Sequence, residues 1–224
     1  ERLEYRDGNP VARVPAPKWD GRDPVILSEE QYEALIEAAG RRFHLAGKLE
    51  RAAGRAWVDH AFYMGAAEEN LEELAELELL PGCAGVKVFM GSSTGSLLVD
   101  DEELLAQVLR RGRRRVAVHA EDEARLRERF ALVEKGAPPE QHPVWRDAEA
   151  ARLATERLLR LAREAKRRVH VLHVSTADEL PLLAGAKNIA TCEVTPQHLT
   201  LEGPECYRRL GTLAQMNPPV RDAA

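Results

Sequence analysis

From about residue 56 onward, short apolar runs alternate with amphipathic helix patterns, and no other feature limits the possible folds as strongly. The runs are Trp57 to Met64, Gly85 to Met90, Val116 to His119, Val169 to Val174 and Ile189 to Val194. Bounded by breakers or charges, they suit strands buried on both faces of a parallel sheet. Between them, Asp100 with Glu103 forms a capping box ahead of a stripe of Leu104, Leu105, Val108 and Leu109. The longest helix is expected to start near Trp145, with Ala151, Ala154, Leu158 and Leu161 on one face and Arg152, Glu156, Arg160 and Arg163 on the other. Strands alternating with such helices make βαβ units, and right-handed crossovers leave an open doubly wound sheet or a closed barrel.

Residues 1–45 carry a different pattern. Asp7-Gly8 marks a hairpin turn, Pro15, Pro17 and Pro24 break the stretch that follows, and Ser28 with Gln31 caps a helix through Tyr32, Leu35 and Ile36. No chemistry is visible there, so 1–45 is expected to be a structural appendage to one domain over 46–224.

The net charge of −5 gives no basis for nucleic-acid or acidic-membrane binding. The arginines at 110, 111 and 113–115 fall between a helix and a strand pattern and suit a solvated loop. No run approaches the about 20 apolar residues of a membrane span, and no signal peptide is visible. Cys83, Cys192 and Cys206 lack CxxC spacing and are odd in number, which favours a reducing, cytoplasmic setting. A chain that begins at Glu1 without methionine reads as processed or as part of a longer polypeptide.

Three residues with metal-site chemistry lie in or at the end of expected strands: Lys87, His119 and His173. Burying an ammonium is costly, so a lysine inside an apolar strand calls for a shifted pKa, a paired charge or a chemical modification, unless it snorkels from an edge. Neutral imidazole suits zinc, and barrel ligands come from the ends of different strands. Lysine itself is a poor zinc ligand, whereas its carbamate, formed with carbon dioxide, is a carboxylate analogue able to bridge two cations. His170, three residues before His173, falls on the opposite strand face by alternation and reads as structural. His60 and His142 have unremarkable settings, while His198 follows a strand and could line a site mouth. Asn217 precedes Pro218-Pro219, which stiffen the backbone behind its amide. The segment from Gly91 to Ser96 lacks a phosphate-loop lysine and reads as a mobile loop at a site rim.

The segments GVKVFMGSSTGSLLV (85–99), VHAED (118–122), HPVWRDAEAARLATERLLRLA (142–162), VHVLHVST (169–176), CEVTPQHL (192–199) and QMNPPVRD (215–222) resemble bacterial dihydroorotases, members of the cyclic amidohydrolases alongside hydantoinases and allantoinases. The likeness covers about residues 46–224. It implies a (β/α)₈ TIM-type barrel of the metal-dependent amidohydrolase kind, with two zinc ions per complete site. By that resemblance, Lys87 is the carbamylated, metal-bridging lysine, His119 and His173 are metal ligands, and Asn217 helps hold the substrate. The implied reaction interconverts dihydroorotate and N-carbamoyl-aspartate in pyrimidine biosynthesis, with a metal-activated water attacking the ring carbonyl.

The family's His-x-His pair of the first barrel strand occurs nowhere in this chain, and its eighth-strand aspartate would fall beyond Ala224. The matched part therefore corresponds to the third through seventh strands, and the chain alone is expected to be an incomplete barrel with little or no activity. Two further readings stand beside this one. One is a non-catalytic dihydroorotase-like scaffold for a partner enzyme such as a transcarbamoylase of the same pathway, with a homo-oligomer as the alternative partner expectation. The other is a hydrolase of hydantoin or allantoin type.

Overall fold

The computed structural model describes residues 55–93, 97–133 and 136–222, together with Ala52. The expected appendage at 1–45, and Thr94 to Ser96 of the proposed rim loop, lie outside the described residues.

Five strands form one sheet: β1 (Phe62–Gly65), β2 (Cys83–Phe89), β3 (Val116–His119), β4 (Val169–Val171) and β5 (Ala190–Cys192). All neighbouring pairs are parallel, and spatial order equals chain order. A doubly wound sheet reverses its strand order at a switch point, whereas a barrel adds each strand on the same side of the last. The order β1-β2-β3-β4-β5 is therefore that of a barrel segment. Among the described residues the barrel does not close, and β1 and β5 are its edges.

The helices are α1 (Leu74–Leu77), α2 (Glu102–Arg110), α3 (Glu123–Phe130), α4 (His142–Trp145), α5 (Ala148–Ala165), α6 (Glu179–Ala184), α7 (Pro196–Thr200) and α8 (Glu205–Leu210). Every strand-to-strand connection contains a helix, as the alternation predicts. Two starts differ from expectation. Asp101 rather than Asp100 caps α2, its carboxylate accepting from the Leu104 N–H at 2.8 Å. The long helix starts at Ala148 because Asp147 caps it, accepting from the Ala150 N–H, while Trp145 ends the separate turn α4.

One sheet face is covered by helices. Val86, Val88, Val116, Val118, Val169 and Val171 pack with Leu105, Val108 and Leu109 of α2 and with Ala154, Leu158 and Leu161 of α5. Burial of such side chains contributes about 1.5–3 kcal/mol each. The other face carries Lys87, Ala117, His170 and Thr191 in one cross-strand row and is only partly covered. The expectation of strands buried on both faces holds for β3, whose four residues are all buried, and is corrected for β4 and for β2 from Val86 to Phe89, where buried and half-buried residues alternate. All three cysteines are free, and no described helix is long and apolar enough to cross a membrane.

Helix α5 ends on Lys166, a left-handed residue at φ 53°. This conformation is easy for glycine and strained by about 1–2 kcal/mol for a residue with a Cβ, partly offset by the larger unfolded-state entropy of glycine. Lys166→Gly is expected to raise stability by about 0.5–1 kcal/mol, read as a higher urea midpoint at unchanged slope. A lower midpoint would refute the strain.

Candidate metal centre

Lys87 sits in β2 between two paired strands, so it does not escape to water from a sheet edge. Its parity places it opposite Val86 and Val88, on the face away from the helices. Burial lowers its pKa to about 8, against the partial opposition of the Glu193 carboxylate. Its Nζ lies 4.4 Å from the Phe89 ring centroid, and that ring lies 5.8 Å from the His119 ring.

His119 is the last residue of β3 and is 1% exposed. His173 lies two residues beyond β4 and has a φ of 40°. That left-handed turn defeats simple alternation. His170, on the strand proper, shares the Lys87 row, and the turn brings His173 to the same side instead of the opposite one. His170 is thus not on a face opposed to His173. It contacts Thr191 Oγ1 at 2.8 Å and Glu193 Oε2 at 3.2 Å.

His119 Nδ1 and His173 Nε2 stand 3.2 Å apart, with the rings nearly perpendicular at 73°. Burial lowers both pKa values and is the main cause of that of His173 falling to about 3, with the Lys87 ammonium adding to the shift. Both rings are therefore neutral at pH 7, the form that ligates metal. Two nitrogens about 2.0–2.1 Å from one tetrahedral zinc stand about 3.3–3.4 Å apart, so this pair fits two positions on one ion. The same spacing serves an N–H···N bond between the rings. Among the described residues, no three His, Cys, Asp or Glu side chains gather to hold a metal. The candidate donors are two histidines and a lysine.

Asn217 stands apart from these three in its hydrogen bonding. Its Oδ1 lies 3.1 Å from His142 Nε2, and its Nδ2 reaches Ser93 Oγ at 3.4 Å. His198 is fixed by Thr195 Oγ1 at 2.7 Å and the Pro218 carbonyl at 3.1 Å. A cleft of about 670 Å³ opens beside the centre, bounded by Ser175, Thr176, His198, Arg221 and Asp222. Lys87, His119, His173 and Asn217 do not line it.

Glu121, Arg146 and Arg221 escaped the sequence reading, although all three lie within the segments that carried the resemblance. They are 0%, 1% and 7% exposed. Burial alone would raise the Glu121 pKa, but His119, Arg146 and Arg221 together hold it down at about 2. Their only signal in the sequence was a charge beside an apolar run, and their partners lie 25 and 100 residues apart.

No family model matches the chain. A dihydroorotase of Methanosarcina mazei is 35% identical over 190 residues, which cover 78% of this chain and 40% of that protein. An allantoinase of Streptomyces avermitilis is 35% identical over 197 residues, 81% of this chain and 41% of its own length. Among solved structures, a dihydropyrimidinase from Brevibacillus agri superposes with a TM-score of 0.69 at 31% identity, covering 79% of this chain and 41% of that one. The chain spans about two-fifths of the length of these relatives.

Proposed function

On these likenesses we propose that the chain is part of a cyclic amidohydrolase, in which Lys87, His119 and His173 are donors of a two-zinc centre that opens and closes a cyclic amide. The proposed pair of substrates is dihydroorotate and N-carbamoyl-aspartate, in a cytoplasmic setting. The observation that supports this most is the 3.2 Å approach of His119 Nδ1 to His173 Nε2 from two neighbouring strands.

Zinc held there supplies Lewis acidity: it lowers the pKa of water and polarises a carbonyl. The chain's own residues do the rest. With a pKa of about 8, Lys87 keeps a useful neutral fraction near neutrality. Its amine lone pair would attack carbon dioxide, with an N–H proton leaving to solvent, and the resulting carbamate would supply carboxylate-like oxygens to hold the metal. His119 and His173 donate ring nitrogens. In this proposal Asn217 turns its Nδ2, loosely engaged with Ser93, towards the substrate.

Metal binding and turnover test different parts of the reading. The full chain, dialysed against Co²⁺, is expected to retain metal, and His119→Ala and His173→Ala each to weaken retention at least about tenfold. Equal retention by the double variant would refute the centre. The 224 residues alone, given zinc and bicarbonate, are expected to hydrolyse dihydroorotate no faster than a metal-free control. In a polypeptide with the complete donor set, dihydroorotate is expected to be preferred over allantoin and hydantoin. The allantoinase likeness makes allantoin the informative competitor, and preference for it would move the substrate assignment to that relative.

A further inference from the structure

We infer that Glu121 is a positioning residue: it fixes the His119 ring with its proton on Nε2 and Nδ1 bare towards His173, and is itself clamped by Arg146 and Arg221. The inference rests on the proposed metal centre and deepens it.

Glu121 lies two residues past His119 and is fully buried. An ionised carboxylate has about four acceptor sites and no donor. Oε2 accepts from Arg146 Nε at 3.1 Å and from Arg146 Nη2, while Oε1 accepts from Arg221 Nη2 at 3.0 Å. The same Oε2 faces His119 Nε2 at 3.0 Å, a contact without the alignment of a full hydrogen bond. Nε2 has no other partner, so the carboxylate is the acceptor within its reach. A neutral imidazole has one N–H. The nitrogen facing a buried carboxylate must carry it, which leaves Nδ1 with a free lone pair. Carboxylates commonly orient metal-binding histidines through the second ring nitrogen in this way.

The arginines explain why Glu121 stays in place. Arg146 also donates to the Ser92 carbonyl at 2.7 Å, and Arg221 donates to the Arg146 carbonyl at 3.1 Å and to Ser175 Oγ. Gly91 completes the packing, since a Cβ there would stand 2.6 Å from the Glu121 carbonyl oxygen. Through these two arginines the loops after β2, β3 and β4 and the segment at Arg221 are tied together around the Glu121 carboxylate. Two arginines and backbone would suffice for a purely structural tie, and nothing in such a tie requires the carboxylate to face His119.

The test reads the ring proton directly. In the metal-free full chain with ¹⁵N-labelled histidine, two-bond proton–nitrogen correlations are expected to show His119 protonated at Nε2 only. Glu121→Gln is expected to lose that single-tautomer signature and to weaken Co²⁺ binding about 10–100-fold. A wild-type ring protonated at Nδ1 overturns the inference, as does Glu121→Gln with unchanged tautomer and unchanged Co²⁺ affinity. Should Glu121→Gln fail to fold, the wild-type tautomer decides alone. Cobalt binding lost in His173→Ala together with an Nδ1–H wild-type ring rejects the inference and keeps the metal centre. An Nε2–H ring with cobalt binding indifferent to His173→Ala rejects the metal centre and keeps the positioning of the ring.

Discussion

Lys87→Ala is expected to lower cyclic amide hydrolysis by about 10³-fold or more in a polypeptide with the whole donor set, since losing a group that assembles or stabilises the reacting charge costs on the order of 10²–10⁴. The lysine occupies a central strand, half-buried, with valines on either side committed to the helix-covered face. Its pKa of about 8 lies below the 10.5 of a free lysine, so folding favours the neutral amine. The charged form therefore costs stability below about pH 8, and that cost fades as pH rises from about 8 to 10.5. Carbamate formation removes the ammonium altogether. Wild-type protein kept in ¹³C-bicarbonate is expected to show a carbamate carbonyl resonance that Lys87→Ala lacks. Short carboxylic acids are expected to restore part of the activity by occupying the vacated bridge. Full activity in Lys87→Ala would reduce the lysine to a structural role.

The repeated strand and helix pattern was legible because the buried face of β2, β3 and β4 is branched and apolar, as in Val116 and Val118. It overran where hydrophobicity lacked a pairing partner. Trp57 and Val58 are apolar yet 100% and 77% exposed, because pairing of β1 with β2 begins at Phe62. The face assignment of His170 failed for a local backbone reason: strand geometry ends at Val171, and the turn at His173 cancels the period of two. The candidate ligands were visible as residue types on strands, but the His119–His173 approach needed the register of β3 on β4. Glu121 was unreadable as a partner because both of its clamps come from distant segments. The barrel order itself required the observed monotone arrangement, since alternation alone allowed a doubly wound sheet equally well.

At the opposite end of the strands, Glu78→Ala is expected to cost about 3–5 kcal/mol, as removing one partner of a buried pair leaves the other charge uncompensated. Glu78 is 0% exposed, and Arg167 is 4% exposed. Oε2 accepts from Arg167 Nη2 at 2.6 Å, and Oε1 accepts from the backbone N–H groups of Arg113 at 2.5 Å and Arg114 at 3.0 Å. One carboxylate therefore ties the turn after α1 to the entries of β3 and β4. Gly112, at φ 71°, is required there, because a Cβ would meet the Glu78 carboxylate at 2.5 Å. Burial depresses the Arg167 pKa, which Glu78 opposes, so the arginine depends on this one anion. Against a typical total of about 5–15 kcal/mol, the loss removes a large share of stability. Glu78→Gln separates the two contributions: it keeps an acceptor for the backbone N–H groups while leaving Arg167 unpaired. It is expected to fall between Glu78→Ala and wild type in urea unfolding. A Glu78→Ala midpoint equivalent to less than about 1 kcal/mol of loss would show that water or a rearranged loop satisfies Arg167.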